Sequence, residues 1–303
     1  MIIIGDTHFK ELPVYLNAQI KFLEWLHTNY KNEHLLFLGD FYDTPTVHFD
    51  KVQDHILEII LQFPHIHIIH GNHEYNRGRG SVLRTLSRFK NIKVYFEDCT
   101  EIIEDKKTLI LPFQYKEEDF RRYELITERH DIVAGHFSPP GYNRGVDEVD
   151  LQMDADNFIY GHIHIPADFI NDHGRHCILG VPLVTRNGEQ DCKKRIYSTT
   201  DGYIPVPTFM TIESVKYGDE PKSKDNLLNI YDAPSVESVY MKYGDFNVRR
   251  EGIEFVRTQQ QNTQDMKKNF SSLEDHFERY TKDKNTSKEV HDTVLSYFSR
   301  VPA

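Results

Sequence analysis

From residue 1 to about residue 200, short apolar runs alternate with longer segments whose apolar positions recur every three or four residues. This is the pattern of an α/β fold, a largely parallel sheet covered by helices. Ile2 to Ile4 predicts the first strand. Leu16, Ile20, Leu23 and Leu26 predict a helix over residues 14 to 29, and Leu35 to Leu38 a short buried strand. Val52, Ile56, Ile59, Ile60 and Phe63 mark a second helix, ended by Pro64, ahead of a strand at Ile66 to Ile69. A helix near 80 to 89 and strands near 92 to 96, 101 to 104 and 108 to 111 come next. Ile132 to Ala134 and Phe158 to Tyr160 are two further strands, and Ile178 to Val184 is expected to close the sheet.

The texture changes after Thr200. Residues 208 to 217, 227 to 231 and 246 to 257 read as strands and 234 to 243 as a short helix, together a small α+β unit. Thr258 to Asp265, with four glutamines, reads as a polar linker. Two short helices are expected beyond it, each opened by a capping box, Ser271 with Glu274 and Thr286 with Glu289. The predicted division is therefore 1–204, 205–257, a linker at 258–265, and a helical segment at 266–303.

The candidate chemistry sits where the apolar runs end. Asp6-Thr7-His8, Gly39-Asp40-Phe41-Tyr42-Asp43, Gly71-Asn72-His73-Glu74, Gly135-His136 and Gly161-His162-Ile163-His164 each follow a predicted strand. Open α/β sheets bind ligands at the carboxyl ends of their parallel strands. Five such motifs of carboxylate, imidazole and amide are the donor set of a two-metal site, in which paired divalent ions activate water and clamp both oxygens of a phosphate displacement.

These motifs, in this order, resemble the calcineurin-like metallophosphoesterases over residues 1 to about 200. The resemblance implies a sheet sandwich flanked by helices. It also implies that Asp6, His8 and His164 bind one ion, that Asn72, His136 and His162 bind the other, and that Asp40 bridges them. His73 corresponds to the family's catalytic histidine outside the ligand shell. Manganese is the metal expected by this likeness, since nitrogen and oxygen donors without thiolate suit manganese, iron or zinc alike.

Within that superfamily, Gly39-Asp40-Phe41-Tyr42-Asp43 is similar to the GDxFD motif of the SbcD-type DNA double-strand-break repair nucleases, with Tyr42 in place of the usual phenylalanine. Protein phosphatases instead carry an arginine after this motif, where Thr44-Pro45 stand here. Leu111-Pro112-Phe113, Gly180-Val181-Pro182, Gly188-Glu189 and Lys193-Lys194 are similar to further segments of the nucleases. Glu74 departs from their usual aspartate. The resemblance implies an exonuclease on duplex ends and an endonuclease on single strands. It makes 205–257 a capping domain and 266–303 a docking segment for an SbcC-type coiled-coil ATPase, and it suggests a homodimer through helices near 50 to 63 and 80 to 89. A phosphatase or small-molecule phosphodiesterase with the same metals is the rival enzyme reading, and a metal-stabilised scaffold the non-enzymatic one.

Charge adds a second clue. The chain carries a formal net charge of −11, which argues against non-specific coating of nucleic acid through many phosphate contacts. Yet residues 77 to 93 contain Arg77, Arg79, Arg84, Arg88, Lys90 and Lys93 without an acid. The four arginines are DNA-binding candidates, with Arg84 and Arg88 expected on one helix face. Arg121-Arg122, Lys193-Lys194-Arg195 and His48 are lesser candidates. His27, His55, His65 and His67 read as surface or packed residues. Cys99, Cys177 and Cys192 form no CxxC pair and fit reduced thiols. No apolar run approaches the roughly 20 residues of a membrane span, and the first strand follows Met1 directly, so a cytoplasmic protein without a signal peptide is expected.

Overall fold

The computed structural model describes residues 1–10, 13–45, 52–76, 80–142, 147–186, 189, 191–224 and 226–255. In chain order the elements are β1 (Ile2–Ile4), α1 (Pro13–Tyr30), β2 (His34–Phe37), α2 (Val52–Ile60) and β3 (His65–Ile69). A small ladder of β4 (Tyr75–Asn76) and β5 (Gly80–Ser81) follows, then β6 (Ile92–Tyr95), β7 (Cys99–Ile103), β8 (Lys106–Leu111) and α3 (Glu117–Arg121). Next come β9 (His130–Gly135), β10 (Ala155–Tyr160), β11 (Ala167–Asn171), β12 (Gly174–Ile178), β13 (Arg195–Ser198) and β14 (Gly202–Pro205). The last described elements are β15 (Ile212–Lys216), β16 (Leu227–Ala233), α4 (Val236–Tyr243) and β17 (Asn247–Phe255).

Two six-stranded sheets carry the site. One has the order β14-β13-β1-β2-β3-β6, with β1, β2, β3 and β6 mutually parallel. The other has the order β11-β12-β10-β9-β8-β7, parallel from β12 through β8. Side-chain alternation divides the core. Ile2, Ile4, Leu35, Phe37, Ile66 and Ile68 pack with Phe22, Leu23 and Leu26 of α1 and Ile56 and Ile60 of α2. Their neighbours Ile3, Leu36, Leu38 and Ile69 instead meet Ile110, Ile132, Ala134 and Ile159 of the second sheet. Strands buried on both faces read as continuous apolar runs, which is why the sequence shows them so plainly. On the far face of the second sheet, Leu109, Val133, Phe158 and Ile178 pack with Phe120, Tyr123 and Phe137.

Compact packing divides the described residues into two units, the first of Met1–Glu213, Pro221–Leu228 and Asp245–Asn247, the second of Ser214–Glu220, Asn229–Gly244 and 248–255. In the second unit α4 buries Val239 and Tyr243. The Tyr243 hydroxyl accepts from Gly218 N at 2.9 Å and donates to Asp219 O at 2.9 Å. Strands β15, β16 and β17 form a three-stranded sheet in that order.

Two expectations fail. The helix expected near 80 to 89 is a pair of single 3-10 turns, Val82–Arg84 and Leu86–Arg88. Leu83 and Leu86 are buried three residues apart, and that spacing suits three residues per turn. The run Ile178 to Val184 does not form the closing strand. Its backbone turns at Gly180, where φ is +71°, so β12 ends at Ile178. The hairpins β11–β12 and β13–β14 complete the two sheets. The predicted linker, both capping boxes, the C-terminal helix pair and His48 lie outside the described residues.

Candidate metal centre

The adjacent parallel strands β1, β2 and β3 release their motifs side by side, Asp6 and His8 after β1, Asp40 after β2, Asn72 and His73 after β3. In the second sheet, adjacent β9 and β10 deliver His136, and His162 with His164. The two sets are stitched together. His162 N donates to Asp6 Oδ1 at 3.0 Å, and His136 Nδ1 donates to Leu38 O at 2.7 Å. His8 N donates to Asp40 O at 2.8 Å, and buried Gln19 of α1 holds the turn by donating to His8 O and accepting from Lys10 N, both at 3.1 Å.

Backbone strain concentrates at this seam. His8, Asp40 and His162 have φ of 45°, 43° and 71°, a region side chains other than glycine's enter at a cost of about 1–3 kcal/mol. The structure holds them there through close approach at the motif glycines. A Cβ on Gly161 would lie 2.6 Å from Asp6 Oδ1 and 2.8 Å from Leu38 O.

The result is a cluster of donors. Ligand atoms of Asp6, His8 and His164 lie within 4.8 Å of one another, as do those of Asp40, His136 and His162, and those of His8, Asp40 and His73. Asp40 belongs to two of these three groups, and His8 links it to the third. The Asn72 amide oxygen lies 2.9 Å from His136 Nε2 and 3.0 Å from His162 Nδ1, and His8 Nε2 lies 3.0 Å from His164 Nε2. All eight residues named for the site are together. Arg77 and Arg79 lie outside the described residues. Arg84 and Arg88 are exposed on successive 3-10 turns, so the α-helical spacing that would align residues four apart is not present. The Arg84 guanidinium lies over Phe96 at 5.3 Å.

Two acids that the motifs do not announce complete the centre. Asp147 Oδ2 lies 2.8 Å from His162 Nε2 and accepts from Ser138 Oγ at 3.0 Å. Glu189 Oε1 lies 2.6 Å from His164 Nδ1, while its other oxygen accepts from Thr185 N at 2.7 Å and Arg186 N at 2.9 Å. Glu189 had a sequence signal as half of a family segment; Asp147 had none. Glu74 has a different part. Its fully buried carboxylate accepts from Tyr42 N at 3.0 Å and Gly71 N at 2.9 Å, tying the second motif to the third. Burial, then the nearby Asp40 charge, push its carboxyl up to about 8.

These residues fit divalent ions. Each of three histidines has its outer ring nitrogen hydrogen-bonded to an oxygen, His136 with Leu38 O, His162 with Asp147 and His164 with Glu189, while His8 Nδ1 lies 3.2 Å from Asp43 Oδ1. That fixes the tautomer and aims the other nitrogen's lone pair into the cluster, as metal-ligating histidines require. Asp6 Oδ2 is buried without a hydrogen-bond partner, a costly state for a carboxylate oxygen with no cation to meet. Burial disfavours charge on His136, yet Asp40 and Asp6 outweigh it and raise its imidazole to about 10. Against the same burial, His136, His8 and His73 hold the Asp40 carboxyl below the usual carboxylate range. A site that draws positive charge this strongly binds a proton or a metal in competition.

Solved structures give distant likenesses. A phosphopantetheinyl hydrolase from Mycobacterium tuberculosis is 14% identical, with 59% of this chain and 88% of that one covered and a TM-score of 0.39. An archaeal phosphodiesterase is 17% identical, with 68% and 97% covered and a TM-score of 0.38. A 5'-nucleotidase precursor from Thermus thermophilus is 13% identical, with 59% and 48% covered and a TM-score of 0.36. No curated protein matches the chain. Among the described residues no helix is long and apolar enough to cross a membrane. The sequence profile of the calcineurin-like phosphoesterases matches residues 1–166 of the 303, the stretch that carries every donor in the cluster, and this chain belongs to that family.

Proposed function

We propose that this chain is a DNA nuclease that hydrolyses phosphodiesters with two divalent ions, the catalytic subunit of an SbcC/SbcD-like complex. The observation that carries the choice of a diester is the surroundings of Asp43. Thr44 stands where the protein phosphatases place the arginine that grips a monoester dianion. Among the described residues Lys10 is the cation paired with Asp43, its Nζ 3.2 Å from Asp43 Oδ1 and donating to Thr185 O at 3.3 Å. Its charge is spent inside the protein. A phosphodiester carries one negative charge and places no demand for a further cation.

On this reading Asp6, His8 and His164 would hold one ion and Asn72, His136 and His162 the other, and Asp40 would serve both. The ions, manganese by the family likeness, polarise the phosphate and lower the pKa of water when bound. A neutral amide at Asn72, where a carboxylate would also serve, leaves the centre more positive toward phosphate. His73 Nδ1 donates to Asp43 O at 2.6 Å, which leaves Nε2 as the nitrogen facing the cluster, 3.9 Å from Asp40 Oδ2. The side chain is 27% exposed, so it reaches both the cluster and an incoming substrate. There it stabilises charge on the phosphoryl oxygens or supplies a proton to the leaving oxygen. The same proposal assigns 205–257 to a capping domain, 266–303 to docking on an SbcC-type ATPase, and α2 with the turns at 82–88 to a homodimer interface.

The test is digestion by the purified chain of linear duplex, single-stranded and circular DNA in manganese, beside a chromogenic phosphomonoester. Metal-dependent DNA cleavage abolished by chelation is expected. Turnover confined to the monoester would replace this reading with a phosphatase.

A further inference from the structure

An aromatic line runs outward from the metal centre. The Phe113 ring lies 5.7 Å from that of His162, Tyr115 lies 5.2 Å from Phe113, and Tyr75 lies 4.3 Å from Tyr115 with the rings tilted by 34°. The Tyr115 hydroxyl donates to Gly71 O at 3.2 Å, which ties the ring to the motif bearing Asn72 and His73. From Tyr115 the line continues through His70 at 6.0 Å to Phe96 at 5.5 Å, and ends under Arg84.

Tyr75 and Tyr115 are 39% and 47% exposed. Singly exposed aromatics are ordinary. Two in mutual contact, anchored to a phosphate-processing motif and followed by an exposed arginine, are the combination that binds single-stranded nucleic acid, with bases on aromatic rings and backbone on cations. A bare phosphate would leave these rings unused.

We propose that Tyr75 and Tyr115 form a stacking platform for the unpaired base next to the scissile phosphate, and that Arg84 meets a neighbouring phosphate of the same strand. The substrate is then a single-stranded or end-frayed DNA segment, not a paired duplex seated by its backbone alone. This rests on the nuclease reading above and deepens it.

The experiment compares fluorescence-labelled oligothymidylate with an oligomer of the same length and phosphate count made wholly of abasic sites. Binding by the full chain is followed by anisotropy in calcium across a salt series, the two oligomers being compared at the same salt. Wild type is expected to bind the thymidylate about tenfold more tightly, within the range of base–aromatic stacking. Tyr75→Leu and Tyr115→Leu should bring the thymidylate toward the affinity of the abasic oligomer, while Tyr115→Trp, which keeps a ring, should retain the preference. Arg84→Glu should weaken both oligomers alike and flatten their salt dependence. Equal affinity of wild type for the two oligomers, or variants that weaken both to the same degree, would overturn the platform. Cleavage of both oligomers by wild type in manganese without base preference overturns the platform and leaves the nuclease reading intact. Base-dependent binding without cleavage of any DNA overturns the nuclease reading and leaves the platform standing.

Discussion

Asp147 Oδ2 lies 2.8 Å from His162 Nε2, and this contact turns the opposite ring nitrogen, Nδ1, toward the Asn72 amide oxygen 3.0 Å away. The contact holds the Asp147 carboxyl below the usual carboxylate range, with the His162 hydrogen bond as the leading cause and burial opposing it. Removing it frees the imidazole to rotate. Asp147→Ala should therefore lose about 10–100-fold in metal affinity, as partners of metal-bound histidines do, while its unfolding in chelator stays close to wild type. Manganese titration by calorimetry checks this, and an unchanged affinity would mean that Asp147 does not orient a ligand.

His73 and Asp40 share a backbone hydrogen bond, His73 N to Asp40 Oδ1 at 2.9 Å, yet they are assigned different work. His73→Ala should keep its metal content and lose about 10²–10⁴-fold in turnover. Asp40→Ala should lose metal first, because its carboxylate belongs to two of the three donor groups and lies 3.7 Å from His8 of the third. Metal analysis separates the two. If His73→Ala is as depleted as Asp40→Ala, the division of roles is wrong.

The sequence announces Asp6, Asp40, Asn72 and the histidines because each ends an apolar run that is buried on both sides, and a polar motif after such a run has few other places to be. Asp147 belongs to no periodic segment, and its role exists only through a distance to His162. The strands β11 and β14 escaped notice for a related reason. Asp168, Ile170 and Asn171 of β11 are exposed, so that edge strand has no apolar signature. Ile178 to Val184 misled in the opposite sense, being wholly buried while its backbone turns at Gly180. Buried apolar runs indicate depth, and depth is not the same as a strand.

A pH-dependent stability should originate away from the centre, on the first sheet. His67 Nδ1 lies 2.7 Å from the Tyr95 hydroxyl and its Nε2 lies 3.0 Å from His34 Nδ1, with the His65 ring stacked on His34 at 4.2 Å. Burial first, then His34 and Lys93, against the opposing Glu101, lower the His67 imidazole to about 4. Between pH 6.5 and about 4 the unfolded chain binds a proton that the native His67 refuses. Its contribution is thus fully present above 6.5 and is lost as pH falls toward 4. The shift corresponds to about 3 kcal/mol at most. His67→Gln should flatten the fall in melting temperature between pH 7 and pH 5, while His70 and His176, also lowered to about 4 mainly by burial, keep their share. An unaltered slope would place the acid sensitivity elsewhere.

The last prediction concerns residues 266–303, outside the described part of the chain. Phe270, Leu273, Phe277 and Tyr280 stripe the first predicted helix, and Val290, Val294 and Phe298 the second. Each predicted helix would span about three turns, too short to be stable alone, so its apolar stripe would need a surface. The glutamine-rich stretch before the helices lets the missing surface belong to another chain, and an amphipathic helix laid in an apolar groove is a common form of such docking. A chain truncated after Gln264 should remain folded, bind manganese and cut DNA with activity within about twofold of the full chain, yet fail to co-purify with the SbcC-type ATPase proposed as its partner. Calorimetry and a co-purification assay read the two halves of the claim independently. A sharp drop in melting temperature on truncation would make these helices part of the fold of this chain and end the docking proposal.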